Sequence, residues 1–264
     1  MKNTESHRLC QHFKPFFDLA ITLSLWVYFT LGFIIFFFPF YLTAYLFLKN
    51  CQTAFQRLNH RFFKGFFFLI RLLIPGHIWR IPDEIMSIRS SIIVCNHISY
   101  LDPILLISLF EKQKTIVKST FFNVPVFSRL LKLSGYIPST SRGKLADLLI
   151  QQIETMGDFL AFGGNLFIFP EGTRSRNGIT GRLNKGAFKI AGRCKTPINV
   201  LYIRNTNQLF QPGKFFFNTC ISNTITIEHL ACIEPDYQSN GFTITGLMSE
   251  VYALFNAQIE KHDG

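Results

Sequence analysis

A histidine and an aspartate five residues apart, His97 and Asp102, are the first residues here that could do chemistry. Such a pair can hold a carboxylate against one imidazole nitrogen and leave the other free to take a proton, which is the arrangement of a general base. The pair follows Ile92-Ile93-Val94-Cys95, a short apolar run rich in branched residues that reads as a buried strand. Asp102-Pro103 ahead of Ile104-Leu105-Leu106-Ile107 predicts a helix start, with Asp102 at the N-cap and Pro103 at the first helical position. The histidine then sits at a strand end and the carboxylate at a helix mouth, with one turn between them. Each residue alone has a plainer reading, Asp102 as a helix cap and His97 as a packed or solvated side chain. Cys95 points to the same strand face as His97, but nothing marks its thiol as activated.

A second stretch adds to the first. Leu166-Phe167-Ile168-Phe169, again strand-like, runs into Pro170-Glu171-Gly172-Thr173-Arg174-Ser175. A buried strand thus ends in a tight polar turn carrying a carboxylate, a glycine, a hydroxyl and a guanidinium. Gly172 lets the backbone approach a ligand closely, and Arg174 offers the planar fork that suits a phosphate. On its own this is also a common kind of surface turn.

The elements that must position these residues alternate between strands and helices after Pro82. Strands are predicted at Ser91 to Cys95, Thr115 to Lys118, Asn165 to Phe169 and Ile198 to Arg204, with more near 215 to 233. Helices are predicted at Pro103 to Glu111, Val124 to Leu133 (ended by Gly135), Lys144 to Leu160, Gly186 to Arg193 and Thr245 to Lys261. The alternation predicts an α/β fold, a mixed sheet covered by helices. No dinucleotide fingerprint appears, and Gly181-Arg-Leu-Asn-Lys-Gly186-Ala187 lacks the Lys-Ser/Thr of a P-loop.

Ahead of this core lies a segment of another kind. From Leu19 to Leu48 there is no charged residue, only an apolar and aromatic run interrupted by Gly32 and Pro39. That exceeds the roughly 20 helical residues that cross a bilayer core, and no signal-type cleavage site follows. One tilted helix fits, and so does a helical hairpin bending near Pro39. Lys2, Arg8 and Lys14 precede the run and Lys49, Arg57, Arg61 and Lys64 follow it, so the positive-inside bias favours the hairpin. Residues 55 to 74 mix aromatics with positive charge, the profile of a helix in the headgroup layer, or of a helix packed on its own domain. The expected organisation is a tail and membrane anchor over 1–54 and a catalytic domain over 55–264 that opens with the interfacial helix.

Composition narrows the partners. Of 264 residues, 27 are Lys or Arg against 16 Asp or Glu, a formal charge of +11 that calls for an anionic partner. The 31 phenylalanines, crowded into the N-terminal third, favour a membrane over nucleic acid. Cys10, Cys51, Cys95, Cys194, Cys220 and Cys232 are scattered without a C-x-x-C pair or a His/Cys cluster, so reduced thiols are expected and no metal site.

Both motifs together carry a resemblance. Asn96-His97-Ile98-Ser99-Tyr100-Leu101-Asp102 matches the N-H-x-x-x-x-D motif of the glycerolipid acyltransferase family. Phe169-Pro170-Glu171-Gly172-Thr173-Arg174-Ser175 matches its F-P-E-G-T-R-S motif, in the expected order and at the expected distance. Lys185-Gly186-Ala187-Phe188 resembles the stretch that follows. The resemblance covers roughly residues 55 to 230 and is to 1-acylglycerol-3-phosphate acyltransferases of the bacterial type, where an N-terminal hydrophobic segment is usual.

There are two departures. Between the motifs the family carries G-x-I-x-x-x-R, with the arginine on the acceptor phosphate. Here Gly135-Tyr136-Ile137-Pro138-Ser139-Thr140-Ser141 has serine at that place and Arg142 one residue late, while Lys118 matches a basic residue that often precedes the block. Pro197-Ile198-Asn199-Val200-Leu201 lacks the second proline of a P-I-V-P-like stretch.

The resemblance implies acyl transfer from a thioester, acyl-CoA or acyl carrier protein, to the hydroxyl of a lysophospholipid, with 1-acylglycerol-3-phosphate giving phosphatidate. His97 would be the base and Asp102 its brace. Glu171, Gly172, Thr173 and Arg174 would position the acceptor, with Arg142 or Lys118 helping on its phosphate. No cofactor, metal or nucleic acid is implied, and the catalytic domain would stand on the cytoplasmic side of the inner membrane. Another acceptor, such as a lyso-ornithine lipid or a remodelled lysophospholipid, fits the same chemistry. A non-enzymatic lipid- or acyl-binding membrane protein is the alternative of another class, against which the intact His97 and Asp102 argue.

Overall fold

The computed structural model describes residues 13–140, 143–175 and 180–263. At its centre is β2 (Ser91–Cys95), buried at every position. It pairs in parallel with β5 (Asn165–Ile168) on one side and β6 (Ile198–Arg204) on the other. Beyond β5 lie β3 (Gln113–Val117) and β4 (Ile137–Pro138), also parallel. Beyond β6 lies β7 (Asn223–Ile233), antiparallel to it, with β1 (His77–Arg80) parallel to β7 at the edge. The seven-stranded order is β1-β7-β6-β2-β5-β3-β4, the mixed sheet expected. Parallel strands need crossover connections, and the helices of those crossovers cover both faces, so the central strands are apolar throughout rather than alternating.

The pleat divides the core in two. Ile93, Cys95, Phe167, Leu201 and Ile225 face α4 (Leu101–Leu109) and α2 (Gln52–Leu73), which adds Phe66, Phe67 and Ile70. Ile92, Val94, Leu166, Ile198 and Val200 face the other way, onto α7 (Met156–Ala161), α8 (Gly186–Cys194) and α10 (Ile244–Asp263).

The uncharged run forms one helix, α1 (Lys14–Phe47), rather than a hairpin bent at Pro39. Pro39 has no N–H to donate and crowds the carbonyl four residues back. A π-helical stretch, Tyr28–Phe37, runs up to just ahead of it and lets the helix continue. The chain turns only at residues 48–51 and returns as α2, packed along α1 through an aromatic seam that includes Tyr28–Phe62 and Tyr41–Phe55. The Tyr28 hydroxyl donates to the Phe62 carbonyl at 2.7 Å. It crosses Gly65 so closely that a Cβ there would come within 2.4 Å of the hydroxyl oxygen. Thr22, Leu25, Gly32, Tyr41 and Ala44 of α1 are buried, while Leu23, Ile34, Phe36, Phe40 and Phe47 stand outside. At its start Asp18 accepts hydrogen bonds from the N–H and hydroxyl of Thr219, and Lys14 donates to Asn218. Most aromatic side chains of α2 turn inward, although Phe68 and Leu72 face out.

Four local expectations are corrected. The helix predicted over Lys144 to Leu160 is a short 3₁₀ turn followed by α6 (Ala146–Glu154) and α7, interrupted where the Thr155 hydroxyl bonds back to Gln151 O. The 215–233 region holds one strand, β7. β1 was not anticipated, because four residues between Pro-Gly and a proline show no period. Finally, Cys51, Cys95, Cys194 and Cys232 are free thiols, but Cys220 is disulfide-bonded.

Candidate active site

Four neighbouring parallel strands, β6, β2, β5 and β3, deliver their carboxyl ends to one edge of the sheet, where open α/β sheets bind their ligands. His97 leaves the end of β2, the 170–175 turn leaves β5, Lys118 leaves β3, and Thr206 follows β6.

Asn96 explains how the chain exits β2. Its side-chain amide donates to Ile203 O at 2.9 Å and accepts from Ile203 N–H at 2.7 Å. The side chain thereby continues the β2–β6 ladder beyond its last backbone pair, and the main chain is released to turn at His97. The His97 main chain is held twice more: its N–H donates to Glu171 Oε1 at 3.2 Å, and its carbonyl accepts from Ser175 N–H at 2.8 Å. The ring stacks on Phe169, with centroids 4.4 Å apart.

His97 Nδ1 lies 2.9 Å from Asp102 Oδ2. A carboxylate there fixes Nδ1 as the donor and leaves Nε2 with its lone pair. The His97 side chain is 15 % exposed and that of Asp102 is fully buried. Among the described residues no hydrogen bond engages Nε2. Asp102 is not the helix cap expected: α4 begins at Leu101, with Tyr100 at the N-cap. From the first turn its carboxylate folds back over the preceding loop, and Oδ2 accepts from the N–H groups of Ile98 and Ser99 at 2.7 Å each. Oδ1 accepts the Thr206 hydroxyl at 2.6 Å. A brace so fully bonded cannot swing away from the imidazole. Cys95 is completely buried, and burial pushes its thiol well above the ordinary range, so it is not poised as a nucleophile.

The second motif is tied to the first through Glu171. Its Oε2 accepts Gly181 N–H at 3.0 Å while Oε1 holds His97 N–H. Burial raises its carboxyl pKa, and the two N–H bonds pull the other way. The sequence reading had Glu171 positioning the acceptor; in the structure both its oxygens bind backbone. Gly172 has φ +70°, a left-handed conformation that calls for glycine, and a Cβ there would meet the flexible end of the Asn184 side chain at 2.9 Å. Thr173 is exposed. The Arg174 guanidinium lies 3.3 Å from the centre of the Tyr100 ring, and its buried Nη1 has no hydrogen-bond partner among the described residues. Lys118 is exposed at the end of β3, two strands from His97. Arg142 lies outside the described residues. Sequence reasoning did not find Asn96, Tyr100, Phe169 or Thr206 as contributors. The first three lie inside or beside the motifs, whereas Thr206 carries no local signal.

Comparison with known proteins follows the same lines. Residues 79–204 match the family model described as Acyltransferase. A chloroplastic 1-acyl-sn-glycerol-3-phosphate acyltransferase of Brassica napus is 31% identical over 120 residues, 46% of this chain and 34% of that protein. A 1-acyl-sn-glycerol-3-phosphate acyltransferase of Borreliella burgdorferi is 30% identical over 164 residues, 61% of this chain and 62% of that one. The chain thus spans about a third of the plant relative's length and under two thirds of the bacterial one's. The crystal structure of a 1-acyl-sn-glycerophosphate acyltransferase, PlsC, from Thermotoga maritima superposes with a TM-score of 0.68 over 93% of this chain and 97% of that one. At 19% identity this shows the fold. The family-model match, over just under half of the chain, and the order of the two motifs make this chain similar to acyltransferases of the glycerolipid family.

Proposed function

We infer that the protein is a membrane-bound O-acyltransferase that moves an acyl chain from a thioester donor to 1-acylglycerol-3-phosphate, giving phosphatidate. The observation that carries this is the 2.9 Å bond between His97 Nδ1 and the buried Asp102, at a sheet edge shared with the Pro-Glu-Gly-Thr-Arg turn. A thioester is already activated, so the missing ingredient is a better nucleophile. The acceptor hydroxyl gives its proton to Nε2 while its oxygen bonds to the thioester carbonyl carbon. The tetrahedral intermediate collapses, the carbon–sulfur bond breaks, and the leaving thiolate takes the proton back from the imidazolium. Ester and free thiol result, and no group stays on the protein. Asp102 stabilises the imidazolium between the two proton transfers. In the exposed turn the N–H groups of Thr173 and Arg174 have no backbone partner among the described residues and are available for the oxyanion. Arg174 takes the acceptor phosphate, with Lys118 adding positive charge on the same edge.

The acceptor and product both reside in a bilayer. α1 is docked lengthwise on α2 and the catalytic domain, with its outer face apolar, which supports a helix lying in one leaflet with that face in lipid. The donor is acyl-CoA or acyl carrier protein, met on the aqueous side.

The test is full-length protein, purified with lipid, offered a panel of lysolipids with each thioester in turn. Preferential conversion of 1-acylglycerol-3-phosphate to phosphatidate is expected. Preference for another lysolipid overturns the acceptor, and no transfer to any of them overturns the activity.

A further inference from the structure

A cavity of about 330 Å³ opens between the C-terminal end of α1 and α5 (Pro125–Leu133), lined by Tyr45, Pro125, Ser128, Arg129, Lys132 and Leu133. We propose that it seats the headgroup of an anionic phospholipid, making α5 a second point of membrane contact. This rests on the membrane-bound reading above and goes beyond it.

The first support is charge. Arg129 and Lys132 stand three residues apart on one helical face, both exposed, and neither forms an ion pair among the described residues. The second is the wall they share. The Arg129 guanidinium lies 5.9 Å from the centre of the Tyr45 ring, and Ser128 is buried with its hydroxyl making no hydrogen bond among the described residues. A guanidinium, an ammonium and a hydroxyl converging on one hollow match a phosphate group.

The third support is position. Tyr45 lies in the last turn of α1, on a helix whose outer face is apolar, and tyrosines collect at the headgroup level of a bilayer. Immediately before Ser128, Val126 and Phe127 of α5 are exposed, continuing the apolar face of α1 past the cavity. A hollow with cationic walls, bounded by apolar side chains, is shaped for a headgroup whose chains stay in the leaflet. The 3₁₀ turn Ser119–Asn123 joins α5 to Lys118 at the active-site edge, so a lipid held here sits one short segment from the catalytic mouth.

The experiment is binding of the full-length protein to phosphatidylcholine vesicles with and without phosphatidylglycerol. Each basic side chain at an anionic surface strengthens partitioning roughly five-fold, so the Arg129→Ala/Lys132→Ala double variant should lose roughly 25-fold on the anionic vesicles and nothing on the neutral ones. The control is Lys189→Ala/Arg193→Ala, two exposed cations on α8 across the sheet, which should lose little. Equal losses in the two doubles, or none in the first, overturn the cavity assignment while leaving the membrane-bound reading intact. Wild-type protein that binds neither vesicle overturns both.

Discussion

At His97 one imidazole is constrained from every side: Phe169 stacks on the ring, Asp102 holds Nδ1, and Glu171 and Ser175 hold its main chain. Much of this was legible in the sequence because it is local. Five residues separate base and brace, and a strand end followed by a helix start is enough to bring them together. What was not legible are the contacts made by topology. Thr206 reaches Asp102 across 104 positions only because β6 lies beside β2. The Tyr100–Arg174 stack joins two motifs whose approach depends on β2 pairing with β5. That stack makes a prediction. A cation–π contact contributes about 0.5–2 kcal/mol, so Tyr100→Leu should raise the acceptor KM roughly 2- to 30-fold with kcat held, while Tyr100→Phe stays near wild type. Steady-state kinetics with varied acceptor decides it, and an unchanged KM in the leucine variant would remove Tyr100 from acceptor binding.

At the scale of elements, the central strands and most helices follow from hydrophobic period. The errors fall where period is silent: the four-residue β1 and the helix interrupted at Thr155. The N-terminal helix shows the limit of composition. Its length was clear, but whether it turns at Pro39 depended on backbone geometry that residue types do not encode.

One element carries a cost the sequence also hides. Lys114 in β3 is 1% exposed, its ammonium donates to Gln152 Oε1 at 2.8 Å, and it lies 4.6 Å from the centre of the Phe159 ring. Burial, with nearby Lys112, lowers its pKa from 10.5 to about 8. The fold therefore disfavours this proton, and the penalty is complete below about pH 8. Between there and the ordinary lysine range the unfolded chain stays protonated while the folded one does not, so stability rises with pH, by roughly 3 kcal/mol in all. Denaturant unfolding across that range should show the rise in wild type and lose it in Lys114→Met. A wild-type profile as flat as the variant's would show that the ammonium is not penalised.

For the whole molecule, the question is whether α1 is a tether or part of the fold. A tether can be cut away without harm to the domain. Here Leu25 belongs to the same core as Phe66 and Ile93, Tyr41 and Ala44 pack on Phe55, and the Thr22 hydroxyl accepts the Phe217 N–H at 2.9 Å. Deleting residues 1–50 would expose the inner face of α2 to water, and the truncated chain is expected to aggregate or unfold rather than yield a soluble domain. Size-exclusion chromatography and circular dichroism report the outcome, and a monodisperse, folded truncation would restore the tether.

The account rests on an imidazole drawing a proton from a lipid alcohol. The most direct measurement is acyl transfer from thioester to 1-acylglycerol-3-phosphate by His97→Ala, in membranes where its abundance matches wild type. General-base loss predicts a rate lower by about 10²- to 10⁴-fold. Transfer at the wild-type rate would contradict the mechanism outright.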